Sequence, residues 1–338
     1  MSFAHYPITW LNSAPLILVI ALLLDRILGE PSHWHPLVGF GHLTNQLEKR
    51  CNLSAHPLIG RLLGLAAWLL VISPFIVFSY FITHLTIGNL ELGWVADCLL
   101  LYFAIGARSL KEHALRIYRA LLSKDLAKAR LGVSMIVSRD TQNLSESEIA
   151  TATVESVLEN GNDAIFGAIV WFLLLGGTGA VLFRLANTLD AMWGYRTPRF
   201  IYFGWAAARL DDLLNLIPAR LTALSYALCG HTKQALQCWH TQARTWYSPN
   251  AGPVMSAGAG ALNVRLGGTA IYHGEIKARP TLGIGEQAQP RHIASAIKLV
   301  EHSMLLWCVI TICIYMGLIY LGLVYPGLIH LGPGAYSA

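Results

Sequence analysis

Charge is scarce in this chain. Only 13% of its 338 residues are charged, against 54% apolar, where soluble proteins carry about a quarter charged. A soluble chain of this length could hardly cover its surface with so few charges, so the sequence reads as a polytopic membrane protein. Other absences narrow the function. The six cysteines (Cys51, Cys98, Cys229, Cys238, Cys308, Cys313) are scattered without a C-x-x-C pair, which argues against a disulfide framework or a zinc site. The thirteen histidines form no H-E-x-x-H pair, and no G-x-x-x-x-G-K-[ST] phosphate loop occurs. A net charge of +5 without any basic run fits a membrane-surface bias and excludes nucleic acid as an expected partner. The first apolar run has neither a basic n-region nor an A-x-A site before it, so no removable signal peptide is expected.

Basic residues are missing at both ends. All 24 Lys and Arg fall between Arg26 and Lys298, and none lies in Ile87–Gly93. Runs long enough, or nearly so, to cross a bilayer are Pro15–Leu28, Leu62–Leu85, Trp94–Ala107, Ala164–Phe183 and Met304–Tyr325, with Asp25 and Asp97 interrupting the first and third. The positive-inside rule puts both termini and the Ile87–Gly93 loop outside, and Arg26–Arg61 and Arg108–Arg139 in the cytoplasm. The fourth run breaks this pattern. If it crosses once, Arg184–Lys298, with twelve basic residues, lies outside. Gly176-Gly177-Thr178-Gly179 could instead fold the run into a re-entrant element, which is favoured here and is tolerated where protein covers the backbone. Alternatively Leu213–Cys229 returns the chain. The expectation is an all-α polytopic membrane protein with about four to five membrane-embedded helical segments and cytoplasmic helical loops. It forms one domain over 1–338, with cytoplasmic regions at about 29–61, 108–163 and 230–302.

Polar groups concentrate between Thr151 and Arg220, threaded through apolar sequence. Ionisable residues beside membrane sequence suggest function by default. Ser145-Glu146-Ser147-Glu148 is a capping box opening a helix, which Asn160-Gly161 should end. On it Glu155 and Glu159 are i,i+4 neighbours that repel, and a bound cation would offset the repulsion. The alternative is a solvated face, with Asp163 merely capping the next run. In Arg209–Ile217, Asp211, Asp212 and Asn215 share an arc opposite Leu210, Leu213, Leu214 and Ile217. This reads as an interfacial amphipathic helix limited by Pro218, whose acids fit Mg²⁺. Asn187-Thr188-Leu189-Asp190 leads to a Gly/Pro loop in which Arg196 and Arg199 could clamp a phosphate or carboxylate or could anchor the interface. After Ser248-Pro249-Asn250, the small residues of Ser256–Ala261 allow close backbone approach to a ligand or close helix packing. Thr269–Ile276 alternates like a short strand. His35 beside Pro36 is read as structural rather than as a metal ligand.

These motifs together resemble the adenosylcobinamide-phosphate synthases of cobalamin biosynthesis, the CobD/CbiB family. The resemblance rests on Asp25…Gly29-Glu30-Pro31…His35-Pro36, Thr153-Val154-Glu155-Ser156-Val157…Glu159-Asn160, Asn187–Met192 with Gly194-Tyr195-Arg196, Arg209–Asp212 with Asn215 and Pro218–Leu221, and Ser248–Gly252. It covers roughly Ile20–Gly285. Glu30 stands where an Asp is more usual, and Gly161-Asn162 replaces a more hydroxyl-rich pair. The resemblance implies an ATP- and Mg²⁺-dependent amide ligation. Adenosylcobyric acid would be joined to (R)-1-amino-2-propanol O-phosphate, or ethanolamine phosphate, at the cytoplasmic face of the inner membrane. In that reading Asp211 and Asp212, with Glu155 or Glu159, hold the metal. Arg196, Arg209 and Arg220, supported by Arg199, Asn187, Asn215 and Asn250, hold ATP or the donor phosphate. Asp190 or Glu159 takes the amine's proton, with Arg209 at the transferring charge. The corrin ring would rest on Trp193, Tyr195 and the Ala257–Ala261 surface. Membrane lipid and other membrane-associated corrinoid enzymes are the expected partners. A transporter would show more spans and inverted repeats, and a non-catalytic scaffold would leave the convergent carboxylates without a purpose.

Overall fold

The computed structural model describes residues 9–31, 36–54, 56–87, 90–272 and 274–321; His35 lies outside them. The helices, in order, begin with α1 (Thr9–Leu28), α2 (Pro36–Cys51), α3 (Pro57–Thr83), α4 (Gly93–Ala104), α5 (Ala107–Leu122) and α6 (Leu126–Ser134). They continue with α7 (Glu146–Gly161), α8 (Gly167–Trp193), α9 (Trp205–Leu214), α10 (Leu216–Cys229), α11 (Thr232–Gln242), α12 (Ala251–Ala261) and α13 (Pro290–Tyr320). Short strands are β1 (Thr86–Ile87), β2 (Leu90–Glu91), β3 (Val264–Gly267), β4 (Ala270–Tyr272), β5 (Glu275–Lys277), β6 (Thr281–Leu282) and β7 (Glu286–Gln287). Among the described residues, four helical stretches are long and apolar enough to cross a membrane: Pro57–Thr83, Gly93–Leu122, Glu146–Trp193 and Pro290–Tyr320. Large apolar side chains such as Leu70, Phe78 and Phe81 on α3 and Leu305 and Ile314 on α13 are exposed, as lipid-facing residues are in a multi-pass membrane protein. The chain forms two compact units, one of Met1–Gly106, Gly167–Leu213 and Trp307–Ala338, the other of Ala107–Phe166 and Leu214–Leu306.

In the first unit α8 is not one straight rod. Leu175 (φ −133°, ψ 16°) and Gly176 (φ 65°, ψ −160°) are non-helical, and Gly176 adopts a conformation that a residue with a Cβ rarely takes. The chain folds back there. A Cβ on Gly179 would lie 2.2 Å from the Trp171 carbonyl oxygen, and one on Gly167 would lie 2.0 Å from Cζ of Phe183. Both pairs sit symmetrically about the break, as in a helical hairpin. Length and composition allow the Glu146–Trp193 stretch to cross, and at Leu175-Gly176 it has the geometry of a helical hairpin. The returning arm begins with an orphan N–H, and Gly177 donates it to Asp97 Oδ1 of α4 at 2.7 Å. The acid that interrupts the third apolar run is therefore a helix cap. At the end of α1, Gly29 (φ 68°) makes a left-handed stop, and its carbonyl accepts from Tyr102 at 2.7 Å.

The second unit is built on α7. Its capping box forms as the sequence predicts, with Ser145 and Glu148 bonded reciprocally. The α-helix ends at Gly161, as Asn160-Gly161 predicts, and the chain continues into a π turn at Asn162–Phe166; Gly161 is also needed because a Cβ there would meet the Tyr226 hydroxyl at 2.2 Å. The small residues of α12 are buried throughout and allow close packing: a Cβ on Gly258 would fall 2.7 Å from Leu158, and one on Gly260 2.6 Å from the Gln234 carbonyl. The expected single strand at Thr269–Ile276 is a two-stranded hairpin, β4 with β5. Beside it β3 pairs antiparallel with β6 and parallel with β7.

Candidate functional site

In the first unit the acids gather where the returning arm of α8 meets α9. Asp211 is 8% exposed and accepts from Asn187 Nδ2 at 3.3 Å. Its neighbour Asp212 is half-buried and pairs with Arg209 at 3.5 Å, one helical turn back. Burial pushes the Asp212 carboxyl up from its ordinary value, while Arg209 and Arg196 pull it back. Arg196, Arg209 and Tyr195 are exposed. The Asp190 carboxylate lies against Gly194, where a Cβ would sit 2.0 Å from Oδ1. Trp193 is 1% exposed and packs edge-on to Phe203, so it is core and cannot carry a corrin ring. The buried Ala257–Ala261 segment cannot either.

Arg199 is committed elsewhere. Its Nε and Nη2 donate to the two oxygens of Glu48 at 3.0 and 2.5 Å, and Asn52 bonds both Glu48 and the Arg199 carbonyl. Burial pushes the Glu48 carboxyl up, but the Arg199 and Asn52 hydrogen bonds and the positive charge of Arg199 more than offset that, leaving it below its ordinary value.

In the second unit Asn215 sits at the junction between α9, which ends at Leu214, and α10, which starts at Leu216, with its own backbone still in the right-handed helical region. Pro218 falls in the first turn of α10 rather than closing the preceding helix, a position where its missing N–H is no loss. The Asn215 amide is 2% exposed. It accepts from Asn162 at 2.7 Å and donates to Asp163 at 3.3 Å; Asn162 in turn donates to Asp163 at 2.9 Å and accepts from Thr222 at 2.9 Å. Asp163 is thus oriented by two amides within the π turn and does not cap a helix. Arg220 donates to Asn250 Oδ1 at 2.6 Å and to the Pro249 carbonyl at 3.0 Å, joining two motif residues that lie thirty positions apart in sequence.

Glu155 sits between two arginines that sequence reasoning passed over. Arg139 bonds Oε2, and Arg279 bonds both oxygens at 3.0 and 3.1 Å. The Gly267 N–H adds a further bond to Oε1 at 2.8 Å. All three side chains are 6–7% exposed, and Arg279 stacks 5.6 Å over Trp246. With both oxygens taken up by guanidiniums, Glu155 is spent as an anchor in this conformation. Nothing local announces either arginine: Arg139 lies in a loop and Arg279 beyond a hairpin.

Among the described residues, no group of three or more His, Cys, Asp or Glu could hold a metal alone. Asp211 and Asp212 still fit Mg²⁺, which takes one or two carboxylates and completes its shell with phosphate oxygens and water.

Apolar spans, a helical hairpin, and acids flanked by guanidiniums define a multi-pass membrane protein with polar clusters at its helix ends. The comparisons with known proteins take this further. The family model described as "CobD/Cbib protein" matches residues 18–300. Curated relatives named "Cobalamin biosynthesis protein CobD" include one from Chromobacterium violaceum, 54% identical over 306 residues (89% of this chain, 96% of the relative). One from Stutzerimonas stutzeri is 54% identical over 295 residues (87% and 96%), and one from Geobacter metallireducens 37% over 290 residues (81% and 87%). This chain belongs to the CobD/CbiB family of cobalamin biosynthesis proteins. No solved structure matches it.

Proposed function

We propose that this protein catalyses an ATP-dependent amide ligation. The free propionate of adenosylcobyric acid is joined to the amine of (R)-1-amino-2-propanol O-phosphate, or of ethanolamine phosphate, giving adenosylcobinamide phosphate. The observation that carries the reading is the pairing of Asp211 and Asp212 beside Arg209 and Arg196. A carboxylate is a poor acyl donor until phosphorylated, and phosphoryl transfer asks for acids to hold a metal and cations to meet developing charge. Mg²⁺, when bound, would neutralise charge across the ATP phosphates. Asp211 and Asp212 would hold it, with Asn187 fixing Asp211. Arg196 and Arg209, exposed and near the acids, would meet phosphate oxygens. Asp190 or Glu159 would take the proton of the attacking amine. Arg199, held by Glu48, would support this site rather than touch phosphate.

The protein would sit in the cytoplasmic membrane with this site facing the cytoplasm, where ATP is supplied. The direct test is the purified protein with adenosylcobyric acid, ATP, Mg²⁺ and each amine, product mass being read directly. Expected is a mass gain equal to the amine phosphate less water, dependent on ATP. Absence of that product, with no amine-dependent ATP hydrolysis, would overturn the reading.

A further inference from the structure

We infer that Arg139 and Glu159 form the subsite for the amine donor, a small zwitterion with a phosphate at one end and an ammonium at the other. The inference rests on the ligation proposed above and gives its second substrate a place distinct from the nucleotide's. The Arg139 side chain is 7% exposed, yet among the described residues its guanidinium makes one hydrogen bond, to Glu155. A guanidinium carries five N–H donors, and the Arg139 nitrogens not bonded to Glu155 are not fully buried, so they are open to a ligand. Arg279 differs: it spends its fork on Glu155 and on the carbonyls of Gly267 and Gly268. Glu155 therefore fixes two cations, of which one is satisfied by protein and the other still has donors to give. An oxyanion is the group that fits them.

Glu159 lies one turn beyond Glu155 on α7, half-buried, within electrostatic reach of Glu155, Arg139 and Arg279. Its carboxylate has no hydrogen-bond partner among the described residues. Burial, and the charge of Glu155 beside it, push the Glu159 carboxyl up to about 7, so near neutral pH it can hold or release a proton while Arg139 keeps its charge. A zwitterion matches the pair, phosphate toward Arg139 and ammonium toward Glu159. That placement also sets a carboxylate beside the amine that must lose a proton.

The test uses full-length protein in detergent and two variants chosen to preserve folding, Arg139→Lys, which keeps the charge but loses the planar fork, and Glu159→Gln. Calorimetric binding of n-propyl phosphate, which has the phosphate but no amine, should weaken at least tenfold in Arg139→Lys and stay within twofold in Glu159→Gln. The KM for aminopropanol phosphate should rise at least tenfold in both, with the KM for ATP within twofold. Equal weakening of propyl phosphate in both variants, no binding to the wild type, or an ATP KM that rises with the donor's would each overturn the subsite. If no protein makes the amide, the ligation reading fails, while the propyl phosphate arm still decides whether Arg139 binds a phosphate.

Discussion

Replacing Gly167 by Ala tests whether α8 folds back. The added methyl carbon would lie 2.0, 2.3 and 2.8 Å from Cζ, Cε1 and Cε2 of Phe183, where carbon atoms prefer about 3.5–4.0 Å. Phe183 is fully buried, so its ring has nowhere to swing. Overpacking of this kind costs about 1–3 kcal/mol, and the better helix propensity of Ala returns about 1 kcal/mol of it. The net expectation is a loss of up to about 2 kcal/mol for Gly167→Ala alone. With Phe183→Leu already in place the ring edge is gone, and the same substitution should become neutral or mildly stabilising. The readout is a double-mutant cycle by unfolding of full-length protein in mixed micelles. Sixteen residues along a straight helix would separate the two sites by about 24 Å, where effects add to within ~0.5 kcal/mol. Additive effects, or a stabilising Gly167→Ala in the wild-type background, would refute the hairpin.

Four further outcomes follow from particular contacts. Asp97→Ala should cost about 1–3 kcal/mol by orphaning the buried Gly177 N–H, and Asp97→Asn should recover part through its amide oxygen; equal losses in micelle unfolding would remove Asp97 from the capping role. Asp212→Asn should leave protein level unchanged and slow ligation by roughly two to three orders of magnitude, whereas near-normal turnover with unchanged Mg²⁺ dependence would move the metal elsewhere. Arg196→Ala should raise the KM for ATP about ten- to a hundredfold while sparing the donor, with partial recovery in Arg196→Lys; a rise confined to the donor would return the amine phosphate to this loop. The folded-state pKa of Glu48 lies below its unfolded value, so the stability it contributes is present above pH ~4.5 and is lost as pH falls through the folded value. The Tm gap between wild type and Arg199→Ala should accordingly be visible at pH 7 and shrink below pH ~4.5, and a gap that widens in acid would contradict the pairing.

What the sequence made legible was local. Ser145 and Glu148 are three residues apart, so their capping box could be read directly. Gly176-Gly177-Thr178-Gly179 announced the break in α8 because glycines in a long apolar run have few other uses. The partnerships that set the site were not legible, since they join distant residues. Arg279 meets Glu155 across 124 positions, and Arg199 meets Glu48 across 151. Asn160-Gly161 has the composition of a helix stop, and the α-helix does end there, but the chain runs on through a π turn that composition does not reveal, and Gly161 also admits the Tyr226 hydroxyl. The small residues of α12 fitted a ligand platform and a packing face equally well, and only burial could decide between them.

The hairpin also bears on a difficulty that charge alone poses. Were Ala164–Phe183 to cross once, twelve basic residues from Arg184 to Lys298 would have to lie on the outer face, against the positive-inside rule. A chain that turns at Leu175-Gly176 returns to the face from which it entered, and no basic segment need be translocated. The fold-back carries its own cost, because the apex exposes backbone N–H groups at membrane depth, where water cannot satisfy them. Asp97 answers that cost with a carboxylate at the start of the returning arm, and Gly167 and Gly179 let the two arms approach closely enough to cover the rest. On the proposed topology, then, the acid that weakens the third apolar run as a span is what permits the fourth not to be one. The polar residues that follow on the returning arm, Asn187 and Asp190, are thereby delivered to the membrane face where a nucleotide-dependent ligation would need them.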